Sequence, residues 1–220
     1  MAKATQPTSI PGPAFIRLIA RLTDARLTDA SPALADRLSE WVDWTRAVAL
    51  SKALDGRLPA VDADADAPVS CIAEEQEDTR VRAALVKAIT TGPAPAHPHQ
   101  ATPPPEGDDY APFRERYRDL QQSMQAETGR LRGRLRDMLA SGSPGQARLA
   151  EVDAVMEMTL TPREHALLGA VPALLGQHFQ RLNAASRMRR FQQDMQHVLL
   201  AELDVRFQPV EGLLAALRTR

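Results

Sequence analysis

Between Phe113 and Met138 the apolar residues Phe113, Tyr117, Leu120, Met124, Leu131, Leu135 and Met138 recur at steps of three, four and seven, with no proline among them. That period is a helix of about 27 residues, some 40 Å long at 1.5 Å per residue. Within it "RLRGRLRDM" alternates Arg with Leu. A strand there would have to interrupt a helical pattern on both sides, so the helix stands.

The flanking sequence reads the same way. Ser143-Pro144-Gly145-Gln146 is a capping-box pattern opening a shorter helix through Leu149, Val152 and Met156. Thr161-Pro162-Arg163-Glu164 is a second one, followed by the longest helical run of the chain, from Pro162 towards Phe207. Pro172 is expected to kink that run and Gln208-Pro209 to end it, leaving a last short amphipathic segment in "VEGLLAAL". Upstream, Phe15, Ile16, Leu18, Ile19 and Leu22 give a first helix an inner face, before a pentapeptide written twice, "RLTDARLTDA". Ser31-Pro32 then opens a helix through Leu34, Leu38, Trp41, Thr45 and Val48 to a stop at Gly56. Trp41 sits on its inner stripe and Trp44 about 60° away, both expected at the core or its boundary. No segment shows the alternation or turn chemistry of a sheet. The fold expected is all-α, an antiparallel helical bundle with one or two long coiled-coil-like helices and a disordered Pro/Ala/Asp-rich insertion.

That insertion spans residues 58–112, between an N-terminal helical region, 1–57, and a C-terminal long-helix bundle, 113–220. "LPAVDADADAPVS" and "GPAPAHPHQATPPPEGDD" lack any period, and their prolines forbid helix and ladder alike. Between them one helix is expected near 73–91, with Val81, Leu85 and Ile89 in line and Gly92 past its end. Residues 55–109 hold 11 acids against four bases, so the region is self-repelling and solvated, a tether carrying a docked or fraying helix.

A formal net charge of −1 argues against a surface tuned as a whole for nucleic acid or anionic lipid. The lone Cys71 cannot form an internal disulfide, and no apolar run approaches the roughly 20 residues needed to span a bilayer. The first residues lack the pattern of a signal peptide. A cytoplasmic protein is expected.

The chain carries no nucleophile elbow, Walker loop, dinucleotide fingerprint or HExxH. Cys71 stands beside "EEQED", whose charge would raise its thiol pKa. His97 and His99 flank a proline in the insertion, His165 follows Glu164 at a helix start, and His178, one heptad after Val171, reads equally as a core-edge histidine or a functional one. Asp194 and His197, three residues apart in "RFQQDMQHVLLAEL", have the spacing of a helical metal half-site. On a helical wheel, however, Phe191, Met195, Val198 and Leu199 form the apolar stripe while Asp194 and His197 point away from it. Arg190, four residues earlier, is expected to pair with Asp194. Arg130, Arg132, Arg134 and Arg136 spread over both flanks of their leucine seam, where they read as snorkelling side chains facing the acidic 55–109 region. No catalytic, cofactor or metal site is assigned. The candidate partner contacts are Trp44, Met188, Phe191, Met195 and Leu199.

"ALADRLSEWVDWTRAVALSKAL", "FRERYRDLQQSM", "REHALLGAVPALLGQHFQRL" and "LLAELDVRFQPVEGLLAALR" together resemble the uncharacterised proteobacterial family known as domain of unknown function 3348. The resemblance covers nearly the whole chain outside the Pro/Ala-rich insertion and brings no activity, cofactor or site residue with it. What it implies is a setting beside envelope proteins similar to motor subunits and wall-binding proteins. The expectation is a non-enzymatic helical scaffold or adaptor that binds a protein partner, or a second copy, through its long C-terminal helices. Two alternatives are a nucleic-acid regulator using the Arg130–Arg136 helix, which needs arginines gathered on one exposed face, and a metal-dependent enzyme around His178 and His197, which needs imidazoles and carboxylates converging in a cavity.

Overall fold

The computed structural model describes residues 13–23, 36, 40–55, 71–91, 109–184 and 186–219. The helix start at Ser31-Pro32, the second copy of the pentapeptide, the stops at Gly56 and Gly92, the Pro/Ala-rich stretches with His97 and His99, and the Cys71 side chain lie outside the described residues. The described elements are α1 (Ala14–Thr23), α2 (Trp44–Asp55), α3 (Cys71–Thr90), α4 (Ala111–Ala140), α5 (Pro144–Gly169), α6 (Val171–Arg181) and α7 (Arg187–Arg218). The fold is all-α, and no strand occurs among the described residues.

α4 and α7 form the central pair. Phe113 meets Phe191 near their starts, with ring centroids 5.2 Å apart, and Tyr117 meets Glu202 further along, so the two longest helices run parallel. The helices flanking them run the other way. α3 crosses α4 with Arg116 donating to the Ala88 carbonyl at one end and Arg134 paired with Glu74 at the other. α5 lies against α4 with Arg132 on Asp153 and Gln121 on the Leu168 carbonyl. α1 rests on α6 and α7 and α2 stands on α5, while α5 meets α7 through Gln146 on the Ala216 carbonyl and Glu164 on Arg206.

The stripe of α4 is buried as its period predicts, from Phe113 through Leu135. Leu139 takes the last core place and Met138 is half-buried. Thr128 fills the gap between Met124 and Leu131, its hydroxyl donating to the Met124 carbonyl at 2.8 Å, so a polar group enters the stripe with its donor satisfied. α3 docks through Val81, Leu85 and Ile89, all buried as expected. Arg82 on Asp204 at 2.6 Å and Arg218 on Glu75 at 2.6 Å edge that contact.

The capping box at the start of α5 is present: Gln146 N donates to Ser143 Oγ at 3.4 Å and Ser143 N to Gln146 Oε1 at 2.9 Å. The inner face beyond it differs from the Leu149, Val152, Met156 line. Ala147, Ala150, Val155 and Thr159 face inward, Val152 and Met156 are half-buried, and Leu149 is 40% exposed. Alanines let the α5 backbone approach α4 closely, and the bulkier leucine turns out.

The prolines also act differently from expectation. Pro162 and Pro209 stand inside α5 and α7, starting and ending nothing. An interior proline costs about 3 kcal/mol, and the buried residues on both sides of each offset it. The long run expected from Pro162 to Phe207 divides instead at Ala170 and again after Arg181, where Leu182 is extended. Pro172 lies in the first turn of α6, where no helix bond needs its N–H. α7 absorbs "VEGLLAAL", burying Val210, Leu213 and Leu214.

Near the N-terminus, Phe15 and Ala20 are buried in α1 and Leu18, Ile19 and Leu22 pack against the core, while Ile16 is exposed. The helix expected to run through Trp41 and Trp44 is interrupted at Val42. Asp43 caps a new one, its carboxylate accepting from Arg46 N at 2.8 Å. That backbone bond holds the Asp43 carboxyl below its usual range. The interruption separates the tryptophans: Trp41 is half-buried under the Arg163 guanidinium, 5.2 Å from the ring centre, and Trp44 is 82% exposed.

Candidate functional site

The α7 stripe of Phe191, Met195 and Val198 continues at the next step to Glu202, a carboxylate at a core position with no exposed surface. A buried carboxylate persists only with donors around it, and Glu202 has three. The Tyr117 hydroxyl donates to Oε2 at 2.7 Å, and Gln121 Nε2 to both oxygens at 3.0 and 3.1 Å. Arg206, one turn on, donates to Oε1 from Nε at 3.0 Å and Nη2 at 2.9 Å. Arg206 also reaches Glu164 of α5 at 3.3 Å, so the network ties α4, α5 and α7 together. Burial, reinforced by the Glu202 charge, pushes the Tyr117 phenol far above its usual range. Sequence reasoning missed this site. The signal was present as Glu202 on the apolar stripe with Arg206 four residues later.

Outward from Arg206, α4, α5 and α7 surround a cleft of about 190 Å³, lined among others by Gly129, Arg132, Glu157, Glu164, Val205 and Pro209. Its α4–α5 edge is a charge cluster. Arg132 grips Asp153 through Nη2 at 2.7 Å and Nε at 3.0 Å, and Arg136 holds Glu157 at 2.7 Å.

The arginines of α4 are therefore divided among faces. Arg132 and Arg136 turn to α5, Arg134 to Glu74 of α3, and Arg130 to its neighbour Glu127. Of the four, Arg134 faces the acidic segment as expected. The single exposed arginine face that the nucleic-acid reading requires is not formed.

The partner-contact candidates separate as well. Phe191, Met195 and Leu199 are core residues, covered by the chain's own helices, and Met188 packs half-buried against them. Offering them to a partner is corrected: in a parallel α4–α7 pair the C-terminal stripe is consumed internally. Phe191 is the hub of an aromatic cluster with Tyr110, Phe113 and Phe179 at centroid distances of 5.0–5.7 Å. Trp44 alone of the five is open to solvent.

Asp194 pairs with His178 of α6, Oδ2 to Nε2 at 2.8 Å, in place of the expected Arg190. α6, ending at Arg181, sets the imidazole beside Asp194 in the second turn of α7. His197 is exposed and His165 stands at the cleft. Among the described residues no three of His, Cys, Asp and Glu are grouped to hold a metal ion.

A family model described as a protein of unknown function (DUF3348) matches residues 1–190 and 187–219. The chain belongs to this family. No curated protein and no solved structure matches it. The DUF3348 description carries no activity, so chemistry has to be read from the residues themselves. Among the described residues, no helix is long and apolar enough to cross a membrane.

Proposed function

We propose that this DUF3348 chain is a non-enzymatic helical scaffold or adaptor that binds a protein partner. The observation that carries the reading is Trp44, 82% exposed at the first turn of α2. Large aromatic side chains left in water are typical anchors of protein interfaces. Trp41, three residues earlier, lies under Arg163, and Leu167, one turn past Arg163 on α5, is exposed too. The α2–α5 side therefore replaces the C-terminal stripe as the docking face. A cytoplasmic partner belonging to an envelope assembly is the setting the family resemblance implies.

A photocrosslinking residue placed at position 44 in the native host tests this, with Lys52 on the same helix as the comparison position. The expected result is a discrete protein adduct from position 44 and none from position 52. With that partner purified, Trp44→Ala should weaken binding by about 30-fold, the loss of roughly 2 kcal/mol typical of an aromatic anchor. Equal labelling from both positions, or unchanged affinity in Trp44→Ala, would overturn the reading.

A further inference from the structure

α3 is seated on α4 and α7 by two unlike halves. Its second half buries Val81, Leu85 and Ile89 one turn apart, whereas no residue from Ile72 to Arg80 is buried. Charge holds the first half instead. Glu74 pairs with Arg134 of α4, Glu75 with Arg218 of α7 at 2.6 Å, and Glu77 stands in the field of Arg134 and Arg130. The Arg134 and Arg218 side chains are 44% and 58% exposed, and ion pairs so open to water hold loosely and are screened by salt. One carboxylate of this half fits poorly. Asp78 buries Oδ1 without a hydrogen-bond partner among the described residues. Arg82 and Arg218 attract it, but Glu211 repels it, and Arg82 commits its own donors to Asp204 and Glu211 at 2.6 and 2.5 Å. A buried acceptor left unpaired weakens the contact that buries it, so α3 is a poorer guest than its groove would allow.

We propose that the α4–α7 groove beneath α3 is a docking surface for an amphipathic helix of a partner protein, with α3 as its built-in competitor. The guest has acidic residues in its first two turns, aliphatic residues at three later steps of four, and an uncharged residue where α3 carries Asp78. Charge complementarity selects it, since Arg130 and Arg134 of α4 and Arg218 of α7 meet the acidic half. The three aliphatic places follow the spacing by which helices are recognised in grooves. Both helices need the same groove, so the apparent affinity for the guest scales with the fraction of chains whose α3 is undocked. Asp78 raises that fraction. Residues 56–70 join α3 to α2 and residues 91–110 join it to α4. Segments of these lengths reach at least about 50 Å when extended, so α3 can leave the groove while the helices on either side stay in place. This surface is separate from the Trp44 face.

The test is a titration of the full chain into synthetic peptides of residues 71–91, labelled with fluorescein at the N-terminus and followed by fluorescence anisotropy. The peptide carrying Asp78→Asn is expected to bind with a Kd on the order of 100 μM, and the unaltered peptide about tenfold more weakly, the effect of one unpaired buried acceptor. Placed in the chain instead, Asp78→Asn acts the other way: it tightens α3 in its own groove and should weaken the Asp78→Asn peptide about tenfold, with the helical circular dichroism retained. A peptide with Glu74, Glu75 and Glu77 all changed to lysine should not bind. Absence of binding by the Asp78→Asn peptide, binding by the lysine peptide, or an unchanged Kd in the Asp78→Asn chain would each overturn the assignment. Equal binding of the unaltered peptide would overturn it too, because a second copy's α3 would then be as good a guest.

Discussion

Glu202 in α7 and Tyr117 in α4, both without exposed surface, share a 2.7 Å hydrogen bond across the parallel central pair. Apolar stripes alone specify the register of two parallel helices weakly. A slip by one turn would exchange one leucine or phenylalanine for another, but it would strand the Glu202 charge away from Tyr117, Gln121 and Arg206. Buried polar groups of this kind are best attested as register devices. The pair thus links a sequence irregularity, a charge at a core position, to the alignment that opens the cleft at Arg206.

Glu202→Leu is predicted to destabilise the chain by about 3–5 kcal/mol, because it leaves the nearly buried Arg206 without its bidentate partner. Tyr117→Phe should cost about 1–3 kcal/mol. The double change Glu202→Leu with Arg206→Met removes both charges together and should recover most of the loss. Urea unfolding of the single and double variants checks this. Losses that simply add would show that the two residues are not coupled.

Legibility in the sequence followed how each position is stabilised. The α4 stripe, the Ser143 capping box and the Val81, Leu85, Ile89 line of α3 rest on local period and local hydrogen bonds, and all three are where their spacing puts them. The inner face of α5 was not readable, since contact through Ala147 and Ala150 depends on how closely another helix approaches. Pro162 and Pro209 carry strong local stop signals that tertiary burial overrides. At the site, Glu202 was visible as a misplaced charge, whereas the cleft depends on how α4, α5 and α7 are set against one another, which no local pattern encodes.

Two glycines in helices should respond oppositely to alanine. Gly133 in α4 has nothing within 4 Å of where an added methyl would project, so Gly133→Ala should stabilise by about 0.5–1 kcal/mol through backbone entropy alone. At Gly176 in α6 the same methyl would stand 2.9 Å from Tyr110 Cε1. Tyr110 donates its hydroxyl to the Pro172 carbonyl and packs on Phe179 and Phe191, so it has little room to yield. Gly176→Ala should therefore lower the thermal midpoint while Gly133→Ala raises it, and a rise in both would disprove the Tyr110 contact.

Both tyrosines of the chain are buried against ionisation. Burial pushes the Tyr110 phenol up to about 12 from an ordinary 10.0, and that of Tyr117 beyond it. Folded pKa values raised in this way contribute stability that is complete below the unfolded value and lost as pH rises through the folded one. Ultraviolet titration should show no phenolate near pH 10, then a rise that coincides with loss of helical circular dichroism. Phenolate forming near pH 10.0 with the helix signal intact would contradict the burial of at least one ring.

Neighbouring carboxylates on α3 should move stability in opposite directions. Burial raises the Asp78 pKa against the partial opposition of Arg82, and its Oδ1 is buried without a hydrogen-bond partner among the described residues. The contribution of Asp78 is therefore most favourable below its unfolded value of 3.8 and is lost as pH rises through the folded one. Glu77, half-buried and hydrogen-bonded by Arg80, has its pKa lowered, so its contribution is present above 4.5 and disappears as pH falls through the folded value. At pH 7 Asp78→Asn should raise the thermal midpoint and Glu77→Gln should lower it slightly, with both differences shrinking as acid protonates the parent side chains. If Asp78→Asn lowered the midpoint at neutral pH, the carboxylate would have to be engaged in holding α3 onto the α4–α7 pair, and burial would not be the dominant influence on it.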